Sequence, residues 1–117
     1  MFTKWGFRQV LEKKAAIVLL PDLCHAGGIT EVRFIAGMAE AYYATVAPHN
    51  PLGPSSLAAG VQISASIPDF LCLEQVSLGA GDIKQLFTVS QGYMALPAGP
   101  GRGTSFRRRP VGGLGQW

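Results

Sequence analysis

No stretch of this sequence is apolar for long enough to cross a bilayer. Its longest aliphatic run, Ala15 to Leu20, falls well short of the ~20 residues that a span requires, and Pro21-Asp22 ends it. The start, Met1-Phe-Thr-Lys-Trp-Gly, has neither an apolar core nor a small-residue cleavage site of the kind a secretory leader carries. This reads as a cytoplasmic address, where Cys24 and Cys72 stay thiols. Paired Cys-x-x-Cys or His-x-x-x-His spacings are absent, which weighs against a structural zinc built from Cys24, His25, His49 and Cys72. Gly27-Gly28 lacks the spacing of either phosphate-cradling glycine motif and reads as a tight turn.

Acidic residues are missing altogether after Asp82. The net charge of +3 therefore arises in the last stretch, through Arg102, Arg107, Arg108 and Arg109, whereas residues 1–100 carry six basic against seven acidic groups. A basic tail without a nucleic-acid module, and with no aromatic beyond Phe106 among its arginines, reads as solvated. Nucleic acid is accordingly not expected as a partner. What remains is a chain of 117 residues, 48% hydrophobic and 15% charged, enough for one globular domain at most.

Periodicity organises that domain. Phe7, Val10 and Leu11 fall at helical spacing, and Ala16–Leu20 reads as a strand buried on both faces. A loop opens at Asp22. Thr30 is then placed to cap a helix carrying Val32, Ile35, Ala36, Ala39 and Tyr43 on one stripe, with Glu31 at its positive start. Ala44–Ala47 reads as a second strand, and the proline-rich loop from Pro48 to Pro54 leads to a helix starting at Ser55 or Ser56 and ending near Ser66. Phe70–Leu73 reads as a third buried strand. Beyond it lie a possible amphipathic turn at Ile83–Phe87 and an apolar stretch at 92–96, and after Pro97 the composition predicts little order. Strand, helix, strand, helix, strand in one sheet means parallel strands joined by right-handed crossovers.

One ionisable residue follows each strand: Asp22, then His49, then Glu74, about one compact βα unit apart. Parallel sheets place their chemistry at this edge, where the loops converge. A carboxylate beside an imidazole accepts its N–H, fixes its tautomer and raises its basicity, so Asp22 and His49 form a candidate dyad. Glu74 is placed to donate a proton or a hydrogen bond to a substrate oxygen. The competing reading is local: Asp22 caps its loop, His49 lies in a turn and Glu74 faces solvent.

The segments reached so far, Pro21-Asp-Leu-Cys-His-Ala-Gly-Gly-Ile-Thr-Glu31, Met38-Ala-Glu-Ala-Tyr42, Ala47-Pro-His-Asn-Pro-Leu-Gly-Pro54 and Leu73-Glu-Gln75, resemble the C-terminal barrel segment of the enolase superfamily, mandelate racemase subgroup. Within it the likeness is greatest to D-galactonate dehydratases. The resemblance runs from Met1 to about Gly101, dividing the chain into a barrel part (1–101) and a glycine- and arginine-rich tail (102–117). It implies an α/β fold, a partial TIM-like (β/α) barrel comprising the last three parallel strands and their intervening helices.

The same resemblance implies a chemistry. Asp22 and His49 map onto the dyad at the ends of the sixth and seventh barrel strands, and Glu74 onto the glutamate of the eighth. A base removes the proton α to a sugar-acid carboxylate, Mg²⁺ stabilises the enediolate, and an acid expels the 3-hydroxyl to give a 2-keto-3-deoxy acid. His49 would be that acid, Asp22 would orient it, and Glu74 would bind or polarise the substrate carboxylate. The resemblance also implies a homo-oligomer. It places the three Mg²⁺ carboxylates on barrel strands that precede the position of Met1, together with the α-proton base and a capping domain. No metal ligand is therefore expected in this chain. The expectation is a dehydratase fragment that is inactive alone, its arginine-rich end the product of a shifted reading frame. The alternatives are another dehydratase or a racemase of the same subgroup, or a non-catalytic remnant that serves as an interaction protein.

Overall fold

The structure is a computed structural model, and it describes residues 1–51, 53–76 and 87–105. Helix α1 (Thr3–Glu12) buries Phe7 and Leu11, one turn apart on one face. Strand β1 (Val18–Leu19) follows, then the single turn α2 (Leu23–Ala26) and the longer α3 (Ile29–Ala41). Strand β2 (Thr45–Val46) leads to α4 (Pro54–Ser64), and a hairpin of β3 (Val89–Ser90) and β4 (Tyr93–Met94) lies beyond. Gln91 and Gly92 turn that hairpin with φ of 51° and 82°, the left-handed pair that matches strand twist.

β1 and β2 are parallel, Val18 opposite Thr45 and Leu19 opposite Val46. The ladder extends past both strands: Ala47 N–H donates to the Leu19 carbonyl and His49 N–H to that of Pro21. On the far side of β2, Val46 N–H donates to the Asp69 carbonyl and Leu71 N–H to that of Val46, bridging Val46 with Phe70. Three parallel segments therefore lie side by side, with β2 in the middle.

α1, α3 and α4 pack over one face of this ladder. Leu19 and Val46 point into that layer and meet Val32, Ile35 and Ala39 of α3 in the main core. A smaller cluster joins Leu57, Ala58 and Val61 of α4 to Phe87. The opposite face is open, which corrects the expectation of strands buried on both sides. On that face Leu20 is 54% and, in the third segment, Leu71 is 55% exposed. Among the described residues one layer of helices covers the sheet, so the side chains that alternate to its other face meet no covering layer there.

Helix boundaries also differ from the sequence pattern. α3 starts at the Gly28 cap and not with Thr30 as its cap, and α4 starts at the Gly53 cap with Pro54 in its first turn, where a missing N–H costs nothing. Tyr43 lies beyond the end of α3, 96% exposed and at φ 57°, so its helical spacing is coincidental. The loop expected after Asp22 is instead the turn α2, capped by Asp22 itself and closed by Gly27 in the left-handed region.

α1 has no side-chain cap from its own sequence. Glu31, in the first turn of α3, supplies one: its Oε1 accepts the Lys4 main-chain N–H at 2.8 Å and its Oε2 pairs with Lys4 Nζ at 3.1 Å. Those contacts, the main-chain N–H first, hold the Glu31 carboxyl below its ordinary range. In the segment after Pro97, Gly103 N–H closes a turn onto the Pro100 carbonyl and Arg102 donates to the Ser55 hydroxyl. Residues 83–86 of the possible amphipathic turn, and residues 106–117 of the tail, lie outside the described residues.

Candidate active site

The three ladder segments end at one edge, and each end carries a polar side chain. Asp22 and His49 are partners in a parallel bridge, and Glu74 N–H donates to the Pro48 carbonyl at 3.3 Å. The backbone register therefore fixes all three positions before any side chain makes contact.

The side chains then join. His49 Nδ1 lies 3.3 Å from Asp22 Oδ2, and His49 Nε2 lies 3.3 Å from Glu74 Oε2. The imidazole is thus held between two carboxylates, one at each ring nitrogen. Glu74 is steadied by its neighbour on β2's loop, because Asn50, almost wholly buried, donates its main-chain N–H to Oε2 at 3.2 Å.

Asp22 is the most buried member and has the most partners. Oδ1 accepts the N–H groups of Cys24 at 2.8 Å and His25 at 3.1 Å, and Oδ2 faces His25 Nδ1 at 3.2 Å as well as His49. Burial pushes this carboxyl up. The opposing contacts outweigh burial: the His25 ring, the main-chain N–H groups of His25 and Cys24, and the His49 ring together hold it below the ordinary aspartate range. Asp22 both caps α2 and faces His49.

His25 joins the site through α2. The sequence signal for it is the spacing Asp-x-x-His inside a single capped turn, which returns the side chain of the fourth residue to the cap. A groove of about 530 Å³ runs beside the third ladder segment between Phe70, Leu71, Tyr93 and Met94, and none of Asp22, His49 or Glu74 lines it. The polar edge is an open end of the sheet, not an enclosed cavity.

Among the described residues no group of three or more His, Cys, Asp or Glu side chains is arranged to hold a metal ion. The donors that do converge are engaged with one another.

The family model described as "Enolase C-terminal domain-like" matches residues 1–109. The chain belongs to the enolase superfamily. Among solved structures it is similar to a proposed mandelate racemase/muconate lactonizing enzyme from Labrenzia alexandrii, at 34% identity and a TM-score of 0.87, with 92% of this chain and 29% of that one covered. A mandelate racemase/muconate lactonizing enzyme from Sulfitobacter sp. is 38% identical, with a TM-score of 0.84 over 92% of this chain and 28% of that one. A proposed galactarate dehydratase from Agrobacterium radiobacter, crystallised with sodium and L-malate, is 32% identical, with a TM-score of 0.86 over 92% of this chain and 32% of that one. These neighbours place the enolase-type chain in the mandelate racemase subgroup and its fold as part of a TIM-type α/β barrel. It spans about three-tenths of the length of each of these relatives.

Proposed function

We propose that this chain carries the proton-delivering side of an acid-sugar dehydratase, with His49 as the acid, Asp22 as its orienting partner and Glu74 at the substrate carboxylate. One observation supports the reading above the rest: His49 lies with a carboxylate oxygen 3.3 Å from each ring nitrogen. With Nδ1–H directed to Asp22, the proton on Nε2 is the one free to leave, and Glu74 faces it.

Dehydration needs such a proton. Loss of the proton at C2 of an aldonate leaves an electron pair that expels the 3-hydroxyl, and hydroxide is a poor leaving group until it is protonated. Transfer from His49 Nε2 as the C3–O bond breaks releases water and leaves an enol, which becomes the 2-keto-3-deoxy acid. A general acid so placed is worth ~10²–10⁴ in rate. Asp22 keeps Nδ1 protonated throughout and compensates the imidazolium charge before transfer.

The substrate class follows from the same requirement and from the likeness to a proposed galactarate dehydratase: a galactose-derived acid with a proton at C2 and a hydroxyl at C3, D-galactonate in the first instance. The base, and the carboxylates for Mg²⁺ that the family brings to an enediolate, belong to the remainder of a barrel, so the 117-residue chain alone is inactive on this reading.

A hybrid barrel tests it. Residues 1–101 replace the matching segment of the Agrobacterium radiobacter relative, and keto-acid formation is followed on galactarate and D-galactonate. The hybrid is expected to form the 2-keto-3-deoxy acid, and His49→Asn to lower that rate ~10³-fold while exchange of the C2 proton with deuterated solvent persists. An active hybrid indifferent to His49→Asn would overturn the assignment. So would keto-acid formation by the 117-residue chain alone.

A further inference from the structure

Asp22 Oδ2 serves two imidazoles. His25 Nδ1 approaches it at 3.2 Å and His49 Nδ1 at 3.3 Å, while Oδ1 is taken up by two main-chain N–H groups. The carboxylate has no further favourable acceptor direction to offer. Two donors on one oxygen draw on the same electron density, so each bond is weaker than it would be alone.

We infer that His25 is a positioning residue of the dyad: by sharing Asp22 Oδ2 with His49, its ring fixes the carboxylate in place and weakens the Asp22 bond to His49 Nδ1–H, so that the imidazole parts more readily with its other proton, at Nε2. Three features beyond proximity support this. His25 grips both oxygens of Asp22, through its main-chain N–H and its ring, which pins the plane of the carboxylate. Its ring is held in turn by Phe2 from the residue before α1, edge to face with centroids 6.3 Å apart. And α2 exists only as the turn that Asp22 caps, so its geometry returns His25 to Asp22 and nowhere else.

The consequence, which rests on the acid role proposed for His49, is a moderated hydrogen bond. An acid must be oriented by its carboxylate partner and must also release its proton. An Asp22 committed wholly to His49 would orient it well but, by strengthening the imidazole as a base, would make its Nε2 proton harder to give up. His25 takes part of that carboxylate's capacity and so keeps His49 oriented but able to give up its proton.

The test is imidazole nuclear magnetic resonance on the full 117-residue chain at one fixed pH, following the His49 Nδ1 proton in the parent, His25→Leu, His25→Asn and Asp22→Asn. His25→Leu is expected to move that proton downfield as the bond to Asp22 shortens. His25→Asn, whose amide can return one donor to Oδ2, is expected to bring it back toward the parent position. A His49 proton that does not move in His25→Leu while it is lost or displaced in Asp22→Asn overturns the role of His25 and leaves the dyad intact. A His49 signal indifferent to Asp22→Asn overturns the dyad itself, and so does a random-coil His49 signal in the parent. Should His25→Leu fail to fold, the comparison of His25→Asn with the parent decides: recovery of the parent shift without the imidazole supports the donor role, and an upfield shift opposes it.

Discussion

The main-chain N–H of His49 donates to the carbonyl of Pro21 at 3.0 Å, and this bond sets Asp22 and His49 side by side as partners in the parallel ladder. Their side chains meet because their strands are in register, not because either reaches across a gap. Replacing one of these side chains therefore changes the chemistry of the edge and leaves its scaffold in place.

Asp22→Asn tests how much of the local structure depends on charge. Asparagine is as good a helix cap as aspartate, so α2 should persist, while the charge-assisted bonds to His25 and His49 are lost at a cost of about 1–2 kcal/mol near pH 7. The aspartate lies below its ordinary range when folded, so its contribution is fully present above the unfolded value of ~3.9 and fades as pH falls through the lower folded value. Urea midpoints of the two proteins should differ at pH 7 and converge as pH drops below about 4.

Glu74→Gln addresses the opposite ring nitrogen. Glutamine preserves the size of the side chain and an acceptor for Asn50 N–H, but it removes the carboxylate beside His49 Nε2. In the hybrid barrel, kcat and kcat/KM should fall together by ~10²-fold, the signature of an interaction made in the transition state. A rise in KM with kcat unchanged would reduce Glu74 to a binding contact.

Gly27→Ala probes the turn that delivers His25. Gly27 sits at φ 115°, and a Cβ there would meet Glu31 Cβ and Cγ at 3.3 Å. Strain in the left-handed region alone costs roughly 1–2 kcal/mol. The displaced Glu31 would also release the Lys4 N–H that it caps. Thermal denaturation should show the loss, and Lys4→Met should cost less in the Gly27→Ala background than in the parent.

Asp69→Asn should stabilise. Burial pushes the Asp69 carboxyl up, its own main-chain N–H opposes that in part, and the charge of Glu40 adds to the rise. A carboxyl raised in the folded state favours folding when protonated, and that advantage is lost as pH rises through the folded value. At pH 7 the charge is a burden, and its removal should raise stability by about 0.5 kcal/mol. The advantage should vanish near pH 3, where aspartate is neutral as well.

Much of this protein is determined by its sequence alone. The helical spacing of Phe7 and Leu11, and of Val32, Ile35, Ala36 and Ala39, marks the faces that meet in the core. The recurrence of Asp22, His49 and Glu74 after successive apolar runs puts three polar groups at one sheet edge. These are properties of period and order, which need no knowledge of what packs where. The tertiary structure decided the rest. It left Leu20 and Leu71 open, because burial depends on whether a second layer covers their face and apolar character alone cannot say so. Glu31 of α3 became the cap of α1, with two elements between them in the chain, through a contact between residues 27 positions apart. And Asp22 came to be divided between His25 and His49, because a hydrogen bond is decided by ångströms, and only the folded turn of α2 brings a second imidazole within them.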